Sequence, residues 1–447
     1  MTTGAEALTF LSDLVARARK AGADAADAIL VEGASLSHAQ RLGKPERLER
    51  SENQDLGLRV FIGRQQAIVS ASDRSAKTLK ELVERSVAMA RAAPEDPYCG
   101  LADPADVLRA IPDLDLADSA EPTPQTLIER AKEAEEAALA VPGVTNSEGA
   151  EAGWSRGMIG VVASNGFSGT FQTSRQSISV SALAGQGTGM ETDYDYTTAI
   201  YGSELESPKD VGRRAGERAV RRLNPRKAET AQVPVVYEQR VANGIVRNLA
   251  GAINGSSIAR GTSFLKSKMG QAVFGPGISI VDDPLRRRGF GSRPFDIEGL
   301  AGKRRAVIDK GVLTTWILDL RSARQLGLKS TGHGVRGTSS TPSPSPSNLY
   351  MEAGKISPKD LIGGIKSGLF VTSLMGMGVN MVTGDYSRGA SGFWIENGEL
   401  SYPVSEVTVA GNLNEMFKNL TPANDLVFKY GTDSPTIAIE GMTVAGR

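Results

Sequence analysis

The 447-residue chain carries two histidines and one cysteine, so chemistry that needs an imidazole or a thiolate must draw on very few side chains. His38 lies in a polar, strand-like segment near the start, and His333 lies in a glycine-rich loop, GLKSTGHGVRG. A zinc site of the HExxH or HExxxH kind needs two histidines about one helical turn apart, so that both rings face one ion. No histidine lies between His38 and His333, and the sequence holds no such pair. Cys99 stands alone, which excludes an internal disulfide framework and a cysteine-rich metal site. Carboxylates alone leave a Mg²⁺ or Ca²⁺ site open, but Asp282-Asp283 and Asp193/Asp195 lack a recognised spacing, and Asp283-Pro284 is more simply a turn. A Ser-His-Asp triad would have to recruit His333 as its base. No G-x-S-x-G elbow accompanies it, and Gly384-Asp-Tyr-Ser-Arg-Gly has the wrong spacing for one. A cysteine nucleophile would be Cys99, in a proline-rich connector with no histidine beside it. Gly185-Gln-Gly-Thr-Gly and Gly376-Met-Gly lack the strand-helix context and the lysine of a phosphate loop.

What remains are binding features, concentrated between Gly327 and Leu400. Thr341 to Asn348 alternates Pro and Ser, a semi-extended run with few backbone donors that reads either as a surface linker or as a recognition segment. Asp385, Tyr386, Ser387 and Arg388 lie between glycine-bearing turns, either to hold a ligand backbone or as an Asp–Arg pair that pins a turn. A β-rich domain with glycine-flanked edges can also take an extended peptide as an added strand, through main-chain bonds that ignore side-chain identity. The candidate groove residues are Thr331, His333, Arg336, Asn348 and Asp385 to Arg388.

These residues need a scaffold, and the pattern upstream supplies one. Leu8, Leu11, Leu14, Val15 and Ala18 predict an amphipathic first helix, and Asp27 to Val31 a strand. A charged segment from Arg47 to Ser51 precedes alternating Leu56, Leu58, Val60 and Ile62, which turn at Gly63-Arg64 into a hairpin. A helix is expected from the cap Ser75 to Arg91, and another over Gln125 to Ala140, between Thr123-Pro124 and Pro142-Gly143. Two strands flank Asn165-Gly166, a strong hairpin dipeptide, and a third spans Thr192 to Tyr201. The helix Pro208 to Arg222 carries a basic run that reads as a solvated face. Beyond Leu223 to Lys227, strands are expected at 233–237, 278–282, 305–309, 313–318, 404–409 and 436–440, with a helix over Arg240 to Ile253. The reading is α+β: an N-terminal α/β region over 1–115, a central helix-plus-hairpin region over 116–228, and a mainly antiparallel β domain over 229–447.

Composition narrows the class of partner. Lys+Arg and Asp+Glu both total 51, which leaves no field to draw in nucleic acid or an anionic membrane. No apolar run reaches the ~18 residues of a membrane span, and the N-terminus lacks a signal-peptide layout. The expectation is a cytoplasmic protein with no covalent staples.

GLKSTGH, PSPSPSNLY, MGMGVNMVTGDYSRGASGFWIENGE and YPVSEVTVAGNL resemble the C-terminal signature of the TldD/PmbA metallopeptidase family, in its PmbA (TldE) subgroup. In the catalytic TldD-type chains of that family, a helix carries HExxxH and a later cysteine completes a zinc site. The matching helix here reads GIVRNLAGAING from Gly244, followed by Arg260-Gly-Thr-Ser-Phe, and the later counterpart is Tyr430-Gly-Thr-Asp-Ser-Pro-Thr. Both histidines, the glutamate and the cysteine are missing. The resemblance implies a chain with no cofactor of its own, paired with a TldD-type subunit that holds the zinc, whose bound water attacks unfolded peptides. Two other outcomes stay open: a stand-alone homodimer that binds peptides without cleaving them, and a metal-independent hydrolase using His333.

Overall fold

The computed structural model describes residues 2–446. It is an α+β protein built on two sheet systems that meet across a buried interface. The first is a six-stranded antiparallel sheet of order β3-β2-β1-β4-β5-β6. Its strands are β1 (Ala25–Arg41), β2 (Lys44–Ile62), β3 (Gln65–Ala71), β4 (Val144–Ala163), β5 (Ser168–Ala184) and β6 (Glu191–Ala199). Residues 1–115 thus contribute three strands and residues 116–228 the other three. Helices α1 (Gly4–Lys20), α2 (Ala76–Ala92), α3 (Pro124–Leu139) and α4 (Pro208–Arg221) cover one face. Their starts follow local chemistry: Thr3 and Glu6 form a reciprocal cap on α1, and the Ser75 and Thr123 hydroxyls accept from N–H groups of α2 and α3. Strand periodicity then sends Ala26, Ala28 and Leu30 under α1 and α2, while Asp27 and Ile29 face the other way.

Two expectations change here. The charged segment at Arg47 to Ser51 is part of β2, which runs twelve exposed residues before it reaches the core. Over that length only β1 pairs with it, so it is a sheet edge, and charge there blocks pairing with other chains. The basic face of α4 is ion-paired: Arg214 and Arg218 meet Asp195 of β6 at 2.6 and 2.8 Å, and Arg222 meets Glu191 at 3.3 Å.

The C-terminal part holds β7 (Ala231–Tyr237), α5 (Gln239–Ala252) and α6 (Gly255–Ala259), then β8 (Ile280–Asp282), β9 (Arg305–Asp309) and β10 (Val312–Leu313). Next come α7 (Leu320–Gln325), β11 (Gly334–Val335), β12 (Ser343–Pro344), β13 (Leu349–Met351) and α8 (Pro358–Gly363). The last elements are β14 (Ser367–Met375), β15 (Asp385–Glu396), β16 (Glu399–Asn412), α9 (Leu413–Lys418), β17 (Leu420–Pro422), β18 (Thr432–Asp433) and β19 (Ile437–Ala445). Strands β16, β15, β14, β7 and β19 follow one another, and β16 also pairs with β19, so the ring closes like a barrel and hides those edges. A second sheet, β10-β9-β8-β13-β18, lies beside it. The strand expected over 313–318 stops at Leu313, because Ile317 leaves the ladder to bond Ile253 and Gly255 at 3.0 and 2.8 Å. Among the described residues no helix is long and apolar enough to cross a membrane.

Candidate functional site

Asp282 ends β8 and has no solvent exposure. Its carboxylate accepts from the Ser347 N–H at 2.7 Å, the Ser347 hydroxyl at 2.6 Å and His333 Nε2 at 2.8 Å. A carboxylate only accepts, so Nε2 carries the proton and Nδ1 meets the Thr331 hydroxyl at 2.8 Å. Burial opposes the charge on Asp282, yet His333 and Ser347 hold its carboxyl below the ordinary range. Serine, histidine and aspartate are therefore together, but both the serine and the imidazole point at the carboxylate. Neither activates the other, and His333 is fully buried, so the geometry is that of a structural lock rather than a nucleophile and its base.

Asn348 extends this lock. Its amide donates to the Asp283 carbonyl and the Ser292 hydroxyl, both at 2.7 Å, and its carbonyl accepts from Gly291 N–H at 2.9 Å. A side chain on Gly291 would stand 2.5 Å from the Ser347 carbonyl, so the backbone there approaches as only glycine allows. The Pro/Ser run is no surface linker: Pro342 and Pro344 are buried while Thr341 and Ser343 face out, the alternation of an extended chain, and β12 pairs with β11.

Arg336 is placed elsewhere, against the first sheet. It and Arg59 share the carboxylate of Asp27, with Arg59 Nε at 2.7 Å and directly opposite Asp27 on the neighbouring strand. Burial pulls the Arg336 guanidinium down to about 10, against the attraction of Asp27. Beside this pair, burial pushes the Glu298 carboxyl well above its ordinary value, and Asp296 adds to the push. Gly57 lets the Thr338 carbonyl lie on the sheet, where a side chain would stand 2.1 Å from that oxygen.

Asp385 to Arg388 open β15, in the barrel, on a different sheet from Asp282. Asp385 is exposed and accepts from Thr383 Oγ1 at 2.6 Å and Asn412 Nδ2 at 3.0 Å, which hold its carboxyl below the ordinary value. Ser387 is exposed, Arg388 half-buried, and Tyr386 lies in the same buried core as Tyr237. The eight candidates therefore fall into three places: the Asp282 lock, the Asp27 interface and the start of β15. Asp282, Ser347, Asp27, Arg59 and Glu298 were not among them. The one signal for the lock was the glycine-rich loop that carries one of the two histidines.

Helix α5 buries Ile245, Val246 and Leu249 and contains no histidine, cysteine or carboxylate. Among the described residues, no group of three or more His, Cys, Asp or Glu side chains is placed to hold a metal ion. His38 is buried in β1 with neither ring nitrogen bonded.

Family models match the chain over most of its length. The PmbA/TldA metallopeptidase domain 1 covers residues 26–90, the central domain 117–223 and the C-terminal domain 230–446. Metalloprotease PmbA of Escherichia coli O157:H7 is 36% identical over 428 residues, 95% of this chain and 93% of that protein. The PmbA homolog of Haemophilus influenzae is 37% identical over 446 residues, 99% of this chain and 96% of its own. Among solved structures, a proposed modulator of DNA gyrase from Bacteroides thetaiotaomicron has a TM-score of 0.90 at 29% identity, covering 98% of both chains. TldE from Thermococcus kodakarensis, at 20% identity, shares the fold with a TM-score of 0.87 over 98% of this chain and all of that one, 100%. With matches of this length and identity, the chain belongs to the PmbA/TldD metallopeptidase family.

Proposed function

We propose that this chain is the PmbA/TldE-type, non-catalytic subunit of a two-component cytoplasmic metalloprotease. It presents unfolded peptide to a TldD-type partner that holds the zinc. The observation that carries this reading is α5 with the stretch up to Phe264. It matches the family's zinc-bearing region by resemblance but offers only apolar, amide, hydroxyl and guanidinium groups. In this reading the ligands and the general base belong to the partner. A chain that keeps the fold without the ligands can still present peptide to the partner.

Peptide contact is assigned to the exposed and half-buried groups at the start of β15, Asp385, Ser387 and Arg388, with Tyr386 packed beneath them. Thr331, His333 and Asn348 hold the fold around Asp282 and Asp283, and Arg336 fastens its loop to the first sheet. The closed barrel leaves few free edges in this part, so presentation by the β15 surface is preferred over strand addition to the barrel.

The test is cleavage of an unstructured peptide by the purified chain alone and after mixing with an HExxxH-bearing TldD-type chain, each with and without chelator. The expected result is turnover only in the mixture, lost on chelation, with a one-to-one complex by sedimentation. Chelator-resistant turnover by the chain alone would sink the proposal, and peptide binding without cleavage in the mixture would favour a stand-alone binding dimer.

A further inference from the structure

A cleft of about 480 Å³ opens between the connector at Asp103 to Asp106, the loop around Lys303 and the turn from Leu328 to Gly332. Lys303, Arg305, Arg324 and Lys329 line it, and among the described residues none of the four has an ion-pair partner within 4.0 Å. Their neighbours along the same segments are paired: Arg304 meets Glu352 at 3.4 Å and Arg321 meets Asp96 at 2.7 Å. Arg324 is committed to the carbonyls of Tyr98 and Gly100 at 3.1 Å and Leu101 at 2.6 Å, which fixes its position without neutralising its charge. Arg305 is half-buried. One terminal nitrogen donates to the Thr331 carbonyl at 3.0 Å, and its Nε is shut off from solvent without any partner. Burial lowers the Arg305 guanidinium, against the attraction of the Asp282 carboxylate, which is itself bonded to His333 and Ser347. Asp103 and Asp106 also line the cleft, and the Asp103 carboxylate is engaged with the Ala105 N–H at 2.9 Å. Four cations face two carboxylates, so the field inside favours an anion.

We propose that this cleft binds a small oxyanion, a carboxylate or phosphate group carried next to an apolar group. Guanidinium and ammonium donors match either oxyanion. Leu300, Ala323 and Leu328 also line the volume, which exceeds what a bare ion fills and suits an apolar substituent. The inference does not depend on the peptide-presenting role, since the cleft lies outside the start of β15.

The experiment is titration calorimetry on the full chain at matched ionic strength, with inorganic phosphate, N-acetyl-leucine and N-acetyl-leucinamide. Saturable binding of either anion, and none of the amide, is expected. Tighter N-acetyl-leucine identifies a carboxylate on an apolar carrier, and tighter phosphate identifies a phosphoryl group. In Lys303→Ser/Lys329→Ser, affinity falls at least tenfold with an unchanged unfolding midpoint in the absence of anion. In Asp103→Asn/Asp106→Asn it rises, because competing charge is removed. The proposal is overturned by absence of saturable anion binding, by equal binding of the amide, or by binding that survives the double lysine variant.

Discussion

Asp282 and Glu298 are both carboxyls shut into the C-terminal part of the molecule, and they settle in opposite states. Asp282 has three donors, two from Ser347 and one from His333, and is held below its ordinary value. One Glu298 oxygen accepts the Leu320 N–H at 2.8 Å, and Asp296 and Asp319 repel its charge, so burial pushes it well above. Burial disfavours charge in both. The number of donors aimed at the group, and the sign of its neighbours, decides which state the fold keeps.

Removing the better-satisfied group breaks that contrast most. Asp282→Ala leaves the Ser347 N–H, its hydroxyl and His333 without their acceptor in a dry site. The expected loss is about 3–5 kcal/mol in urea unfolding near neutral pH. Because the folded carboxyl titrates below the ordinary 3.8, wild-type stability from this group is present above that value and fades as pH falls through the folded one. The gap between wild type and variant should therefore narrow in acid. Arg336→Met comes next. Asp27 keeps Arg59, so the expected cost is about 1–3 kcal/mol, read as a lower unfolding midpoint and faster proteolysis in the 336–341 loop.

Glu298→Gln acts in the other direction. Below about pH 4.5 wild-type Glu298 is protonated folded and unfolded alike, and the group contributes no pH slope. Above it the unfolded chain ionises while the folded one keeps its proton, so wild-type stability falls as pH rises. The glutamine variant should lie progressively above wild type from about pH 5 to 8 in thermal melts, and a parallel offset would refute the assignment. The smallest effect is expected at the surface. Asp385→Asn removes an exposed carboxylate held by Thr383 and Asn412, so the unfolding midpoint should fall least of the four. A loss of peptide turnover by the mixed subunits at a temperature where the variant is fully folded would report contact rather than folding.

Much of the first sheet was legible because its signals are local. Ser75, Thr123-Pro124 and Pro142-Gly143 mark helix ends within a few residues of the structure, and Asn165-Gly166 sits at the β4–β5 turn. The first dozen residues of β2 were not legible, since an edge strand exposed on both faces has no hydrophobic alternation to read. The Pro/Ser run misled for a related reason: its composition is that of a linker, and only its packing shows that the prolines face inward.

By itself the sequence determined the α+β class, the helix caps, the family signature and the lack of a histidine pair, because each depends on residues a few positions apart. Only the tertiary structure decided what His333 and Arg336 are for. Asp282 lies 51 residues before His333 and Asp27 lies 309 before Arg336. No periodicity links such positions. Their partnership comes from the closure of one sheet against another, where a buried charge must take whatever donor the fold brings within reach.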